Sequence, residues 1–413
     1  MKTLLQINII VNYGSTGRII AQLGQTAYQN GWNSYIAYSR KFQNCKSGLI
    51  RIASFWDVII HGLRTRLFDQ HGLGSHKATI KLVNLIDEIK PDIVHLHNLH
   101  GYYLNIEVLF NYLADKDIAV VWTFHDCWPM TGHCAFFDFI KCEKWRKECF
   151  SCPQKNKYPA SYLFDRSRKN YHLKKILFSS LNRLTIVAVS EWLGNIVKQS
   201  FFENFPVQII NNGVDTHIFK PIQDSSIREK YNLKDKVVIL GVANIWESRK
   251  GLRDFIELSR KLDNNYQIIL VGLNNLQFIT LPANVTGVTK TKDPRELAAL
   301  YSEADVFLNL STEETFGLTT AESLSCGTPA IVYNSSASPG LLTPETGIVI
   351  EKGNIDQLVT AIKQIQSKGK ASYTQACVGR ARQFYNKDER YKDYLNLYES
   401  ILNKNADNAD IKD

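Results

Sequence analysis

The sequence predicts an α/β protein built from two doubly wound, parallel sheets covered by helices. Three observations carry this expectation. Short β-branched runs alternate with longer amphipathic stretches along the whole chain, the rhythm of βαβ units. At 413 residues the chain is too long for one ordinary core, and about 150 residues per domain makes it two or three domains. Polar and glycine residues follow the apolar runs directly in both halves, at the carboxyl ends of strands, where open α/β sheets bind ligands.

In the first half the expected strands are Leu4–Ile10, Tyr35–Tyr38, Ile93–Leu96, Ala119–Phe124 and Thr185–Val189. In the second half they are Val237–Val242, Gln267–Val271, Val306–Leu310 and Ala330–Tyr333. Each is short, apolar and bounded by turn or cap residues. Phe205-Pro206 and Asn211-Asn212-Gly213 supply the breakers of a domain boundary between Phe205 and Pro221. Tyr391, Tyr394, Leu395, Tyr398 and Leu402 follow helical spacing in the tail, and the polar Asn403–Asp413 is expected to be disordered. The expected domains are 1–205, with a cysteine-bearing insertion at 127–160, then 206–385, then a helix and polar tail at 386–413.

Hydrophobic residues make up 44% and charged residues 22% of the chain, which excludes wholesale disorder and collagen-like structure. No apolar run reaches the roughly 18–20 residues of a membrane span. Gln6 and Asn8 interrupt what would be a signal-peptide core, so the N-terminus reads as a first strand. The expected location is cytoplasmic, with peripheral contact on the inner face of the plasma membrane. The net charge of +9 is localised. The window from Lys141 to Arg183 holds twelve basic residues against three acids, an excess equal to that of the whole chain. An anionic membrane, a diphosphate-bearing substrate or nucleic acid would meet such a patch, and a solvated helix face is the plain alternative.

The strongest motif is Glu314-Thr315-Phe316-Gly317-Leu318-Thr319-Thr320-Ala321-Glu322. It follows an expected strand and opens a helix that ends near Cys326-Gly327. Free N–H groups at Phe316, Gly317 and Leu318 would favour a phosphate. In Asn244–Gly251, Arg249 and Lys250 sit together in a strand-exit loop, a fork and a point charge suited to a diphosphate. Gly14-Ser15-Thr16-Gly17 is neither a dinucleotide fingerprint nor a P-loop, but it lets backbone approach a ligand. His95 and His97 share one strand face, and no carboxylate nearby completes a metal site with them.

Together these residues resemble the retaining glycosyltransferases of family 4, which have the GT-B fold. Glu314 and Glu322 match the family's E-x7-E motif. Arg249-Lys250-Gly251 matches its phosphate-binding segment, and Gly14–Gly17 its N-terminal glycine loop. Asn212-Gly213-Val214-Asp215 with Phe219-Lys220-Pro221 matches its interdomain signature. The segments Asp92–Asn98 and Trp122–Trp128, with the cysteine cluster, resemble a bacterial subgroup of the capsule and colanic-acid type.

The resemblance implies two Rossmann-like domains facing across a cleft, an acceptor-side domain followed by a nucleotide-sugar-binding one. The C-terminal helix would cross back to the first. It implies transfer of a sugar, with retention, from a nucleotide-diphosphate donor to a glycan or lipid-linked glycan in bacterial surface polysaccharide synthesis. Glu314 would contact donor sugar hydroxyls beside the Phe316–Leu318 backbone, and Glu322 the ribose. Arg249 and Lys250 would hold the diphosphate. His125 would bind the donor sugar and help the transition state. No catalytic metal and no nucleic-acid partner are expected. Asn244 stands where the family usually has arginine, and Gly340 where relatives often carry glutamate.

Cys134, Cys142, Cys149 and Cys152 have the spacing C-x7-C-x6-C-x2-C, with His133 adjacent. The reading favours a structural zinc with all four positions filled, against reduced thiols packing a loop. The alternatives to a transferase are an epimerase or phosphorylase of the same fold and, in another class, a zinc-knuckle nucleic-acid-binding protein.

Overall fold

The computed structural model describes residues 1–279 and 281–410, without the side chains of residue 225 and residues 405–410. The chain falls into two compact units, Met1–Ile210 with Tyr391–Asp413, and Asn211–Arg390.

The first unit holds seven strands: β1 (Thr3–Ile7), β2 (Asn33–Tyr38), β3 (Gly48–Arg51), β4 (Ile93–Leu96), β5 (Ala119–Phe124), β6 (Leu184–Ala188) and β7 (Val207–Ile209). Between them run α1 (Gly14–Gln29), α2 (Phe55–Phe68), α3 (His76–Ile89), α4 (Ile106–Asp115), α5 (Ser167–Phe178) and α6 (Glu191–Val197). The sheet order is β3-β2-β1-β4-β5-β6-β7, with parallel pairing throughout. The order reverses between β1 and β4, the usual ligand-binding crevice of such sheets. Every residue of β1, β4 and β5 is buried, as strands covered on both faces require.

The second unit begins with α7 (Ser225–Lys230) and β8 (Val237–Val242), followed by α8 (Leu252–Lys261), β9 (Tyr266–Val271), α9 (Asn275–Ile279) and β10 (Val285–Val288). It continues with α10 (Pro294–Glu303), β11 (Val306–Asn309), α11 (Leu318–Ser325), β12 (Ala330–Tyr333), β13 (Gly347–Ile350), α12 (Ile355–Lys368) and α13 (Ala371–Tyr385). Its order, β10-β9-β8-β11-β12-β13, is again parallel and reverses between β8 and β11.

The last helix, α14 (Lys387–Asp410), starts in the second unit and ends in the first. Tyr391, Tyr394, Leu395 and Tyr398 pack with Leu4, Ile93 and Val121 in the core of the first sheet. The matched Asn212–Asp215 segment ties down the start of this helix. Val214 N–H donates to Tyr385 O at 2.6 Å, Lys387 N–H donates to Val214 O at 3.0 Å, and Lys387 pairs with Asp215 at 2.7 Å.

Three local expectations need correction. Gly14–Gly17 is the first turn of α1 rather than a loop. The first strand stops at Ile7, because Asn8 turns its amide onto Ile10 O at 2.7 Å. The tail expected to be disordered from Asn403 is helical to Asp410; residues 411–413 lie outside those described. Among the described residues, no helix is long and apolar enough to cross a membrane.

Candidate functional site

In the second unit the strand exits at the order reversal are laced together. After β8 the chain makes a short 3-10 turn, Ser248–Lys250. It is closed by Gly251 at φ +76°, where a Cβ would sit 2.3 Å from Leu310 O. Thr312 N–H donates to Arg249 O at 2.8 Å, which joins the β8 exit to the β11 exit. The Arg249 guanidinium donates to Glu313 O at 3.1 Å and meets Glu247 at 3.2 Å. Lys250 forms an ion pair with Glu314. Glu314 N–H donates to Ser336 Oγ at 2.7 Å, and Ala337 N–H to Glu314 O at 3.1 Å, so the β12 exit holds the same residue. Burial opposes the charge of Glu314, but Lys250 and Arg249 outweigh it and hold the carboxyl below its ordinary range.

Phe316 and Gly317 precede α11, which opens at Leu318. Glu322 lies within that helix and accepts from Tyr301 Oη at 3.0 Å. Gly272, at the β9 exit with φ +95°, lies so close to β8 that a Cβ would be 1.7 Å from Ala243 O. Asn244 is exposed. Gly340 O accepts from Arg380 at 2.8 Å. Lys250, expected at the diphosphate, and Glu314, expected at the sugar hydroxyls, stand next to each other.

In the first unit the strand exits carry histidines instead. His95 on β4 is fully buried and uses both ring nitrogens, Nδ1 with Tyr398 Oη at 2.6 Å and Nε2 with Thr123 Oγ1 at 2.8 Å. No lone pair is left for a metal. His97 Nε2 meets Gln6 Oε1 at 3.2 Å, and His97 Nδ1 meets His125 Nε2 at 3.1 Å. Gln6 Nε2 donates to Ile20 O at 3.1 Å, so its Oε1 must be the atom facing His97. His97 therefore carries its proton on Nε2 and accepts at Nδ1, and His125 donates from Nε2. Burial pushes His95 and His97 far down, and His125 down to about 4. Beside them, His100 Nε2 meets Asp126 at 2.6 Å and its Nδ1 meets Tyr158 Oη at 2.8 Å.

Gln6 escaped the sequence reading as a site residue. Its signal was there: a polar side chain in an otherwise apolar strand, which is buried only when it has partners. Tyr398 and Tyr394 were read only as packing residues. Their hydroxyls, bonded to His95 and Thr123, make them part of the histidine network.

The four predicted thiols, Cys134, Cys142, Cys149 and Cys152, line one small cleft with His133, Trp145 and Phe137. All are free thiols. Burial pushes Cys149 up to about 12, while a hydrogen bond with Cys134 draws Cys152 down to about 7. His133 Nδ1 meets the buried Asp69 at 2.6 Å, and its Nε2 is buried without a partner. As the side chains stand, no three His, Cys, Asp or Glu residues among those described are gathered to hold an ion. The donor set is right in kind and number for zinc but is not drawn together.

The basic window is not one free surface. Lys174 is buried, donating to Trp128 O at 2.8 Å and Thr131 O at 3.0 Å, and burial lowers it to about 7. Arg146 and Arg168 pair with Glu143 and Glu148.

Residues 17–218 match the family described as Glycosyltransferase Family 4, and residues 223–384 match Glycosyl transferases group 1. The chain is 24% identical, over 96% of its length and all of the relative's, to a protein of Escherichia coli K12 named as a colanic acid biosynthesis glycosyl transferase, WcaC. It is 26% identical to the sulfoquinovosyl transferase SQD2 of Arabidopsis thaliana, over 38% of this chain and 33% of that one. Among solved structures, the fold matches sucrose-phosphate synthase from Thermosynechococcus elongatus with a TM-score of 0.72 at 17% identity, covering 98% of this chain and 100% of that one. It also matches Anabaena HepE in complex with UDP and glucose, with a TM-score of 0.68 at 15% identity, covering 97% and 100%.

Proposed function

We propose, on the premise that this chain is a glycosyltransferase built of the family 4 and group 1 domains, that it transfers a sugar from a nucleotide diphosphate with retention. The acceptor in this reading is a glycan or lipid-linked glycan of a bacterial surface polysaccharide. The observation that carries it is the lacing of Arg249, Lys250 and Glu314 across strand exits at the order reversal of the second sheet. Glycosyl transfer leaves negative charge on the departing diphosphate, and preorganised cations stabilise that charge without reorganisation. Arg249 and Lys250 take that role. Glu314 receives donor sugar hydroxyls with the Phe316–Leu318 backbone beside it, and Glu322 takes the ribose. Gly14 and Gly17, at the start of α1, allow close backbone approach to the donor. His125 binds the donor sugar and helps the transition state, and burial keeps its ring uncharged at neutral pH.

The test is turnover with UDP-, GDP- and ADP-sugars, beside binding of the bare nucleotides, for the native chain and Lys250→Ala. One nucleotide should bind selectively, and the variant should lose turnover with that donor. Absence of binding to every nucleotide by folded protein would overturn the donor site.

Two finer points belong to this reading. Zinc on Cys134, Cys142, Cys149 and Cys152 would act structurally, joining the insertion that follows His125. Its support is the one cleft that all four thiols line. Metal analysis of the purified chain decides it: stoichiometric zinc is expected, and a folded, metal-free protein removes it. The enzyme would work in the cytoplasm, in peripheral contact with the inner face of the plasma membrane.

A further inference from the structure

Helix α2 is built inside out. A surface helix normally turns its apolar stripe to the core and its polar face to water. In α3 of the same unit, Ala78, Leu82, Val83 and Ile86 are buried in this way. In α2 the buried residues are His61, Gly62 and Thr65. Its exposed residues include Phe55, Trp56, Ile59, Ile60 and Leu63, with Phe55 65% and Trp56 68% accessible. At 100° per residue these five fall on one continuous arc of about 140°.

The polar face is what fastens the helix. His61 Nδ1 meets Ser75 Oγ at 3.0 Å, and His61 Nε2 accepts from Gly72 N–H and Gly74 N–H, both at 3.2 Å. The orientation is therefore fixed by hydrogen bonds, and no rotation can hide the apolar stripe without breaking them.

A second segment enlarges the stripe. Tyr162 N–H donates to Arg66 O at 2.7 Å, and Phe164 stacks on Phe68 with ring centroids 5.7 Å apart. Tyr162, Leu163 and Phe164 are all exposed. Two adjoining segments thus present eight or more large apolar side chains to solvent, a concentration that marks an interaction surface.

The charges around it are mostly positive, and Asp165, next to Phe164, is held by the Cys152 and Ser167 N–H groups. Arg64 and Arg66 lie on α2, and Lys155 reaches Tyr162 O at 3.5 Å. The one acid of α2, Asp57, is engaged in the capping box with Ser54 and feels Lys81 beside it.

We propose that this face, α2 with residues 162–164, is a membrane-docking surface that seats in the interface of an anionic bilayer. Aromatic and aliphatic side chains enter at headgroup depth, and the flanking cations meet lipid phosphates. It sharpens the membrane contact of the preceding reading and shifts it from the basic window, whose charge is partly internal, to α2. It stands apart from the transfer chemistry, because docking requires no donor and no turnover.

The test is sedimentation of the full chain with phosphatidylcholine vesicles, with and without phosphatidylglycerol. The chain should bind the anionic vesicles and be released by salt. Trp56→Ser with Leu63→Ser should weaken binding by at least about tenfold, with an unchanged melting temperature and unchanged nucleotide binding. Arg64→Gln should weaken it less and reduce the salt dependence. Leu276→Ser, at an exposed apolar residue of the second unit, should do nothing. Equal binding by the Trp56/Leu63 double variant, or no binding to anionic vesicles, would overturn the proposal. So would a native dimer that the double variant turns into a monomer, since the stripe would then face a second copy.

Discussion

The two sheets share one topology and line their carboxyl edges with opposite chemistry. In the first unit the edge is mostly uncharged: His95, His97 and His125 are pushed down by burial and bonded among themselves, to Gln6 and to tyrosine hydroxyls, and the Asp126 carboxyl beside them is taken up by His100. In the second it is ionic, with Lys250 against Glu314 and Arg249 against backbone carbonyl and Glu247. A neutral chain of donors and acceptors can orient hydroxyl groups without attracting ions. An ionised cluster at a strand exit can hold a charged diphosphate. In the proposed reading, the same fold separates the recognition of sugar from the neutralisation of a leaving group.

The largest effect should come from the ionic side. Lys250→Ala removes a cation and leaves Glu314 without its partner. It should lower kcat/KM by about 100- to 1000-fold, read by steady-state kinetics, while circular dichroism shows an intact fold. Gly272→Ala should come next: the added Cβ has no room against Ala243 O. It should cost about 2–4 kcal/mol of stability in urea unfolding and weaken nucleotide binding with it.

On the neutral side, Gln6→Leu strips the acceptor that sets the His97 and His125 tautomers. It should cost about 1–3 kcal/mol for the unpaired buried groups and lower kcat more than it raises KM. Steady-state kinetics set beside urea unfolding checks both, because a purely structural role would leave the kcat-to-KM split unmoved. Tyr398→Phe, which frees only His95 Nδ1, should cost about 1 kcal/mol and leave turnover nearly unchanged.

The pH response separates the two edges in a different way. The buried His95, His97 and His125 have folded-state values below the ordinary range, and His125 lies at about 4. As pH falls below about 6.5, the unfolded chain takes up protons that the folded chain refuses. Stability should therefore decline from pH 7 toward 5, measured as a falling melting temperature. Replacing His125 by Asn should flatten part of that slope, whereas Lys250→Ala should leave it unchanged.

Apolar runs determined the centres of both sheets. β4, β5, β8 and β12 lie where the residues placed them, because a strand buried on both faces is apolar nearly throughout, its few polar side chains being bonded as His95 and Thr123 are. The four strands that escaped the reading, β3, β7, β10 and β13, are the outer strands of the two sheets. They are short and only partly buried, as in Gly48–Arg51 and Val207–Ile209, so neither length nor hydrophobicity marks them. The motif residues after β8 and β11 were legible because glycines and paired charges are rare in those contexts. Partners were not. That Lys250 meets Glu314, 64 residues away, and that Tyr398 meets His95, 303 residues away, follows only from the strand order and the path of α14. Residue spacing reveals which face a side chain is on; what stands opposite that face is decided by the packing of distant segments. The same reason hides the inversion of α2: its sequence is amphipathic in either orientation, and only the hydrogen bonds of His61 decide which side meets the protein.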